Sequence, residues 1–471
     1  MASATFADLN ADVLHMVVDE LLHMYRRSLP PNTAIILQTR LLEIVCLNRN
    51  TYSALRNRLY RDIHVSTTRS LALLVRTLLE RRDLRALPRS FTSVPKKWNK
   101  KVSGMDETLW AEMRRPFMGD DASCRVLEVI ANSPCTDGHG RVPISNLFMA
   151  ALHLMTGLQS IIINQPLAVD VKTAEQHGWL SDLATSIRQL AGGDDDSGDG
   201  HQQPRRPLRR FALTMKKLSP HVSLQALLID NMAATLEDLS LDFGKDDNFW
   251  AIQLSPELVF PNVARLKLIM VDHRNLSISA QIPDLCKRCP KLKELSLRQA
   301  TFPVIVERAL QNCKGTLERL RLDIVGRSYS FPLPLSCLSQ LSRLEHLSTD
   351  VGVLWPELLT GRVAPEPDVP LDDVLPRSLK SLHLAYGWRW SDRFCAEGRI
   401  LPRIAADLVR FLGDSTALVS RNRLFPRFEE LGWREKERWK EWRCCCCGGQ
   451  DKALAELGPA CEENGIRFAV S

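Results

Sequence analysis

Aromatic residues are scarce in this 471-residue chain, 6% of the total with 5 tyrosines, and no charge of one sign dominates it. Lys plus Arg number 62 against 55 Asp plus Glu, and a net charge of +7 is too weak to argue for a nucleic-acid partner. The excess lies at the amino end, where residues 1–110 hold 17 basic and 10 acidic side chains. A composition of 45% hydrophobic and 25% charged residues excludes collagen, a disordered chain and a disulfide miniprotein. No basic stretch precedes an apolar core at the start, because Asp8, Asp12, Asp19 and Glu20 occupy it, so no secretory signal is expected. The expected location is then cytoplasmic or nuclear, and the 13 irregularly spaced cysteines read as free, mostly buried thiols. Phosphate loops and the G-x-G-x-x-G, H-E-x-x-H and G-x-S-x-G motifs are missing, and DGHG around His139 reads as a loop. No enzyme, catalytic residue or cofactor is expected.

Residues 142–169 carry no Asp, Glu, Lys or Arg and are long enough to cross a bilayer. Their content argues against it, since Pro143, Asn146, His153, Gln159, Asn164, Gln165 and Pro166 would leave amides unpaired in hydrocarbon. No membrane partner is expected. The stretch splits instead into a helix, with Leu147, Ala150, Ala151 and Leu154 at helical spacing and Gly157 as its stop, and a strand, Leu158, Ile161 and Ile163 in L-x-x-I-x-I.

What the chain has in abundance is leucine, and the leucines recur in one pattern. L-x-x-L-x-L appears as LEDLSL, LKELSL and LERLRL, with VARLKL, LEHLST and LKSLHL as variants. Taking the middle aliphatic as marker, positions 211, 239, 266, 295, 320 and 347 follow one another in steps of 28, 27, 29, 25 and 27. A period of roughly 20–29 positions with this motif is the leucine-rich-repeat signature, one short strand and one helix per unit, buried by stacking on its neighbours. Residues 223–234 and 282–289 have helical apolar spacing, and Pro290 closes the second of these before the next strand.

Two longer intervals hold insertions: 192–207, GGDDDSGDGHQQPRRP, whose composition predicts disorder, and the Pro-rich loop 361–370. The array fades toward Phe428 and ends in a last helix, a Gly465 turn and a short strand.

Before the repeats the pattern is helical. Leu9, Val13, Leu14, Val17, Val18, Leu21 and Leu22 form one apolar stripe, and Leu37, Leu41, Ile44, Val45, Tyr52 and Leu55 form others. LNADVLHMVVDELL resembles the LPxEVLxxIxxxL opening of the F-box, and IVCLNRNTYSALRNRLYRDIHV resembles its second half as found in filamentous-fungal proteins. In that match Cys46 takes the family cysteine, Tyr52 the following aromatic, and Leu59, Tyr60, Arg61 and Ile63 the strand-like exit. LALLVRTLLERRDLRAL resembles the segment that links such an F-box to its repeats. The sequence departs from the pattern at Asn10, where Pro is usual, and in the longer loop 24–34.

The resemblance implies an F-box protein with leucine-rich repeats: an α/β solenoid preceded by a small all-α module. It implies a substrate-recognition adaptor of an SCF-type ubiquitin ligase, with a Skp-type adaptor and cullin scaffold as partners and the repeats holding a protein target. Adaptor contacts would come from Leu9, Val13, Leu14, Val17, Leu21, Leu41, Val45 and Tyr52. The expected division is residues 1–65 for the helical module, 66–119 for a connector and 120–471 for the solenoid. The residues alone leave a second reading open, in which the helical segment caps the amino end of a scaffold outside the ubiquitin system.

Cys444 to Cys447 invite a metal reading, but consecutive residues cannot converge on one tetrahedral ion; a loop, lipidation and redox chemistry remain as readings, and no metal is expected. Cys286 and Cys289 have C-x-x-C spacing at a repeat-helix end, where burial is the simpler reading. The run 81–101 holds eight Lys/Arg, one acid and Trp98, either a solvated connector or a nuclear-localisation or phosphate-binding patch. Trp439 and Trp442 lie on a charged helix that docks on the solenoid end or enters a partner groove. In L-x-x-L-x-L the aliphatics point inward and the residues between them outward. That puts Arg265, Lys267, Arg298, Arg319, Arg321, His346 and His383 on the exposed face as target-binding residues, with Arg265, Lys267, Arg319 and Arg321 as a basic patch for an acidic or phosphorylated segment.

Overall fold

The computed structural model describes residues 49–93, 142–163, 208–214, 233–242, 258–269, 276–298, 303–323, 337–355, 370–386, 400–413, 425–435 and 448–470, with short pieces at 16, 18, 20, 104–105, 110–111, 113 and 127–128. Leu9, Val13, Leu14, Val17, Leu21, Leu41 and Val45 lie outside these residues, as do the insertion 192–207, the helix expected up to residue 232, loop residues 361–369, Trp439, Trp442 and Cys444 to Cys447. The chain divides into two compact units, Met1–Thr214 with Leu218–Met232, and Ala233–Ser471 with Met215–Lys217.

In the first unit, α1 (Arg49–Arg61) runs into β1 (Asp62–Val65), followed by α2 (Thr68–Glu80) and β2 (Ser90–Ser93). Leu59, Tyr60 and Arg61 therefore end a helix rather than begin a strand, and only Ile63 takes the extended conformation expected of the four. Thr67 starts α2 with a capping box: its hydroxyl accepts from the Ser70 amide and the Ser70 hydroxyl accepts from the Thr67 amide. Leu71, Ala72, Val75, Leu78 and Leu79 then bury one stripe of that helix. A short antiparallel pair joins β3 (Gly104–Met105) to β4 (Val142–Pro143), which leads into α3 (Ile144–Leu154). The expected helix and strand of this stretch are both present, the strand being β5 (Ser160–Ile163). Gly157 sits between them because a Cβ there would fall against the carbonyl oxygens of Ala86 and Pro88.

β1, β2, β5 and β6 (Arg210–Thr214) pair in parallel, aligning Ile63, Phe91, Ile161 and Phe211 in one buried row. Phe148 of α3 meets Phe91 edge-on at 5.5 Å. Parallel pairing thus starts at Asp62, inside the stretch read as module and connector. Neither β1 nor β2 carries L-x-x-L-x-L, so the motif hides them. Yet the step from Ile63 to Phe91 equals that from Phe211 to Leu239.

The second unit is an open parallel sheet whose strand order is its sequence order: β7 (Asp238–Asp242), β8 (Arg265–Ile269), β9 (Glu294–Arg298), β10 (Arg319–Asp323), β11 (His346–Asp350), β12 (Ser381–Tyr386), β13 (Glu430–Glu435) and β14 (Arg467–Val470). Between strands lie α4 (Leu276–Lys287), α5 (Pro303–Asn312), α6 (Val351–Leu354), α7 (Leu371–Val374), α8 (Ile400–Gly413) and α9 (Gly448–Glu463). The expected markers are in register: Leu239, Leu266, Leu295, Leu320, Leu347 and Leu382 form one row, continued by Leu431 and Phe468. A second inward row runs through Leu241, Leu268, Leu297, Leu322, Thr349, Leu384 and Trp433, all buried. The entry to each strand is bonded the same way in every unit, the amides of Arg265, Glu294, Arg319, His346, Ser381, Glu430 and Arg467 donating to the carbonyls of Glu237, Ala264, Lys293, Glu318, Glu345, Lys380 and Glu429 in turn. The carboxy end folds as its sequence predicts, with Gly465 at φ 63° turning α9 into β14.

Candidate binding face

Alternation along the strands puts three outward rows opposite the leucine ladder. The first crosses Asp238, Arg265, Glu294, Arg319, His346, Ser381, Glu430 and Arg467. It neutralises itself. Arg265 Nε lies 3.3 Å from Asp238, Arg319 Nη1 lies 3.5 Å from Glu294, and Arg467 Nη1 lies 3.8 Å from Glu430. The His346 ring shares a 2.8 Å hydrogen bond with the Ser381 hydroxyl. Burial, reinforced by the Arg319 charge, holds the His346 imidazole below its ordinary range. Of the four cations expected to form a basic patch, Arg265 stands between Asp238 and Glu294, and Arg319 stands between Glu294 and His346, so both face an acid in this row.

The second row crosses Ser240, Lys267, Ser296, Arg321, Ser348, His383 and Gly432. It holds no acid. Cations stand on β8 and β10, a histidine on β12, and serines on β7, β9 and β11. His383 Nε2 lies 3.6 Å from Glu430 of the first row, and a Cβ on Gly432 would collide with the His383 ring, so the glycine makes room for the imidazole.

The third row crosses Asp242, Ile269, Arg298, Asp323, Asp350, Ala385 and Arg434. Asp323 and Asp350, at positions that strand alternation turns outward, are 4% and 2% exposed. Arg321 grips Asp323 Oδ2 through Nε at 3.0 Å and Nη2 at 2.8 Å, and Arg434 Nη2 donates to Asp323 Oδ1 at 3.1 Å. Arg434 reaches across β11 and β12 to do so, over Asp350 and the small Ala385. Asp350 caps α6 by accepting from the Gly352 amide. Period alone gave no sign of this clamp, since Arg434 lies beyond the last marker leucine; aligning Leu431 with Leu382 would have placed Arg434 in this row without showing its reach.

Other sequence candidates resolve as structure. Tyr52 on α1 is half-buried beside Tyr60, whose hydroxyl is pushed up by burial and by that neighbour. Of the basic run 81–101, Arg85 is buried with Nε on the Leu78 carbonyl at 2.7 Å, and desolvation lowers its pKa to about 10. Arg89 donates to the Gly157 carbonyl and Arg81 pairs with Asp83, while Lys96, Lys97, Lys100 and Lys101 lie outside the described residues. Cys286, Cys289, Cys313, Cys337 and Cys461 are buried free thiols. Burial pushes Cys289, Cys313 and Cys337 up to about 12, which makes them inert packing groups. Among the described residues no cluster of three or more His, Cys, Asp or Glu is arranged to hold a metal, and no helix is long and apolar enough to cross a membrane.

Comparison of the chain with models of protein families and with curated proteins finds no match.

Proposed function

We propose that this chain is a target-recognition subunit of an SCF-type ubiquitin ligase, a leucine-rich-repeat protein that binds a Skp-type adaptor through an F-box-like amino-terminal segment and a protein target through its repeat sheet. The observation that carries the target-binding half is the in-register parallel sheet of the second unit, which buries two apolar rows and turns a graded set of charges and serines to solvent. Such a surface suits recognition of a polypeptide, and the role proposed for it is binding. The adaptor half rests on the resemblance of residues 6–65 to the F-box. Expression of the full chain with a Skp-type adaptor tests it: the two should co-purify, and Leu9→Asp with Val13→Asp should abolish capture, because two unpaired charges would be buried at a cost of several kcal/mol. Failure of the unmodified chain to bind adaptor ends the ligase reading.

One observation favours the scaffold alternative. Ile63 and Val65, within the F-box-like segment, are buried in the sheet of the first unit, with β1 as the first strand in its order. A segment used in this way caps the array, and a capped repeat protein outside the ubiquitin system would need no adaptor.

A further inference from the structure

We infer that the second outward row of the second unit, with Arg298 of the third row beside it, docks an extended acidic protein segment with carboxylates three residues apart, held by Lys267, Arg298 and Arg321. The inference deepens the target-binding reading and rests on it.

The first outward row carries exposed and half-buried acids of its own, Asp238 and Glu294 facing Arg265 and Arg319, and these would repel an acidic segment. Lys267 and Arg298 differ: both are exposed and neither has an ion-pair partner among the described residues. Arg321 is 46% exposed, and Asp323 engages its Nε and Nη2, leaving Nη1 free of that pair. Lys267 and Arg321 flank Ser296 in register, on strands β8 and β10. Neighbouring strands lie about 4.8 Å apart, so the two cations stand roughly 10 Å apart across the sheet. A polyproline-like segment rises about 3.1 Å per residue, so side chains three apart repeat every roughly 9.3 Å. Two side chains three apart on a segment crossing the strands thus meet Lys267 and Arg321. Ser296 lies between the two cations and Ser240 and Ser348 flank them, small enough for close approach and able to hydrogen-bond the segment's backbone. Arg298, two residues along β9 from Ser296, adds a third cation beside the track.

Fluorescence anisotropy of the full chain with a labelled (Glu-Pro-Ala)4 peptide tests the inference. This peptide should bind, with affinity falling as salt rises, and a peptide of the same composition with its glutamates clustered should bind at least about tenfold more weakly. Lys267→Glu with Arg298→Glu, both at exposed positions, should abolish the spaced peptide's binding, with the urea midpoint checking that the fold is kept. Deleting a self-neutralised pair, Arg319→Gln with Glu294→Gln, should change it less than about twofold. Equal binding of both peptides, or binding that survives Lys267→Glu with Arg298→Glu, overturns the inference. Binding of only the phosphoserine version of the peptide overturns the carboxylate assignment. Capture of phosphatidylserine vesicles with the same sensitivity to the variants overturns a protein occupant. Adaptor co-purification, measured on the same variants, should be unchanged, so loss of peptide binding and loss of the ligase reading are separate results.

Discussion

Each of the two units builds a parallel sheet, from different side chains, and the contrast lies on the outward face. In the first unit the outward positions are Asp62, Ser90, Ser160 and Arg210, then His64, Thr92, Ile162 and Ala212, largely small or uncharged, with Thr92 buried. In the second, the corresponding rows carry Asp238, Arg265, Lys267, Glu294, Arg319 and Arg321. Inward, the first unit uses Phe91 and Phe211 where the second uses leucine. Parallel pairing tolerates either filling, since backbone hydrogen bonds hold the strands together and the inward row needs only bulk and apolarity. The difference teaches that the sheet is scaffold throughout, while solvated charge concentrates in the second unit.

The largest effects should come from the inward rows. Phe91→Ala, which removes a fully buried ring and its edge contact with Phe148, should cost about 3–5 kcal/mol, and Leu320→Ala about 2–5 kcal/mol. Urea denaturation measures both. Equal, small losses at the two sites would mean that neither row is close-packed and would erase the contrast.

The buried carboxylate of the second unit comes next. Arg434→Ala leaves Asp323 still held by Arg321 and should cost about 1–2 kcal/mol. Arg321→Ala with Arg434→Ala strands a buried charge and should cost about 3–5 kcal/mol, more than the sum of the single losses. Asp323→Asn should cost less than that double change, because both arginines are 35% or more exposed and can rehydrate. A double variant no worse than Asp323→Asn would show that water already reaches the carboxylate.

How much of this was legible follows from what each feature needs. The leucine period needs only one chain position per unit, so the register from Leu239 to Leu382 could be read before any coordinates. β1 and β2 escaped because a phenylalanine and a lone isoleucine fill the same rows without the motif, although the step from Ile63 to Phe91 kept the period. Alternation alone placed Arg265, Lys267, Arg319 and Arg321 on the outward face, and it missed the burial of Asp323 and Asp350. Pairing was not legible, since whether Arg265 is a free cation depends on Asp238 standing opposite, which register decides. The clamp on Asp323 needed the reach of a side chain three strands away. No local pattern encodes that.

The exposed pairs should matter least to stability. A double-mutant cycle on Lys293 and Glu318, 2.8 Å apart and largely solvated, should give a coupling of about 0.2–1 kcal/mol, and the Arg76–Glu80 pair on α2 about 0.3–0.5 kcal/mol. Both couplings should shrink at high salt. A coupling in the second unit well beyond that range would mark its outward face as a cooperative network rather than a row of independent pairs.

The smallest predicted effect is a pH dependence that the units share for different reasons. Burial lowers the pKa of His64 in the first unit against the opposing pull of Asp62. Burial and the Arg319 charge lower that of His346 in the second, where Lys380 and His383 add to the effect and Glu345 opposes it. A histidine whose folded pKa lies below its unfolded value of about 6.5 is neutral in the native state while the unfolded chain takes up the proton. Each therefore contributes full stability above about pH 6.5 and loses it as pH falls from there through the folded pKa. Between pH 7.5 and 5.5 the urea midpoint of the unmodified chain should drop further than that of His64→Gln or His346→Gln, each compared with itself. Salt should blunt the drop more at His346, whose shift includes the Arg319 charge, than at His64, whose shift comes from desolvation. If His346→Gln is as pH-sensitive as the unmodified chain, the imidazole is solvated and the Ser381 hydrogen bond does not hold it in its buried position.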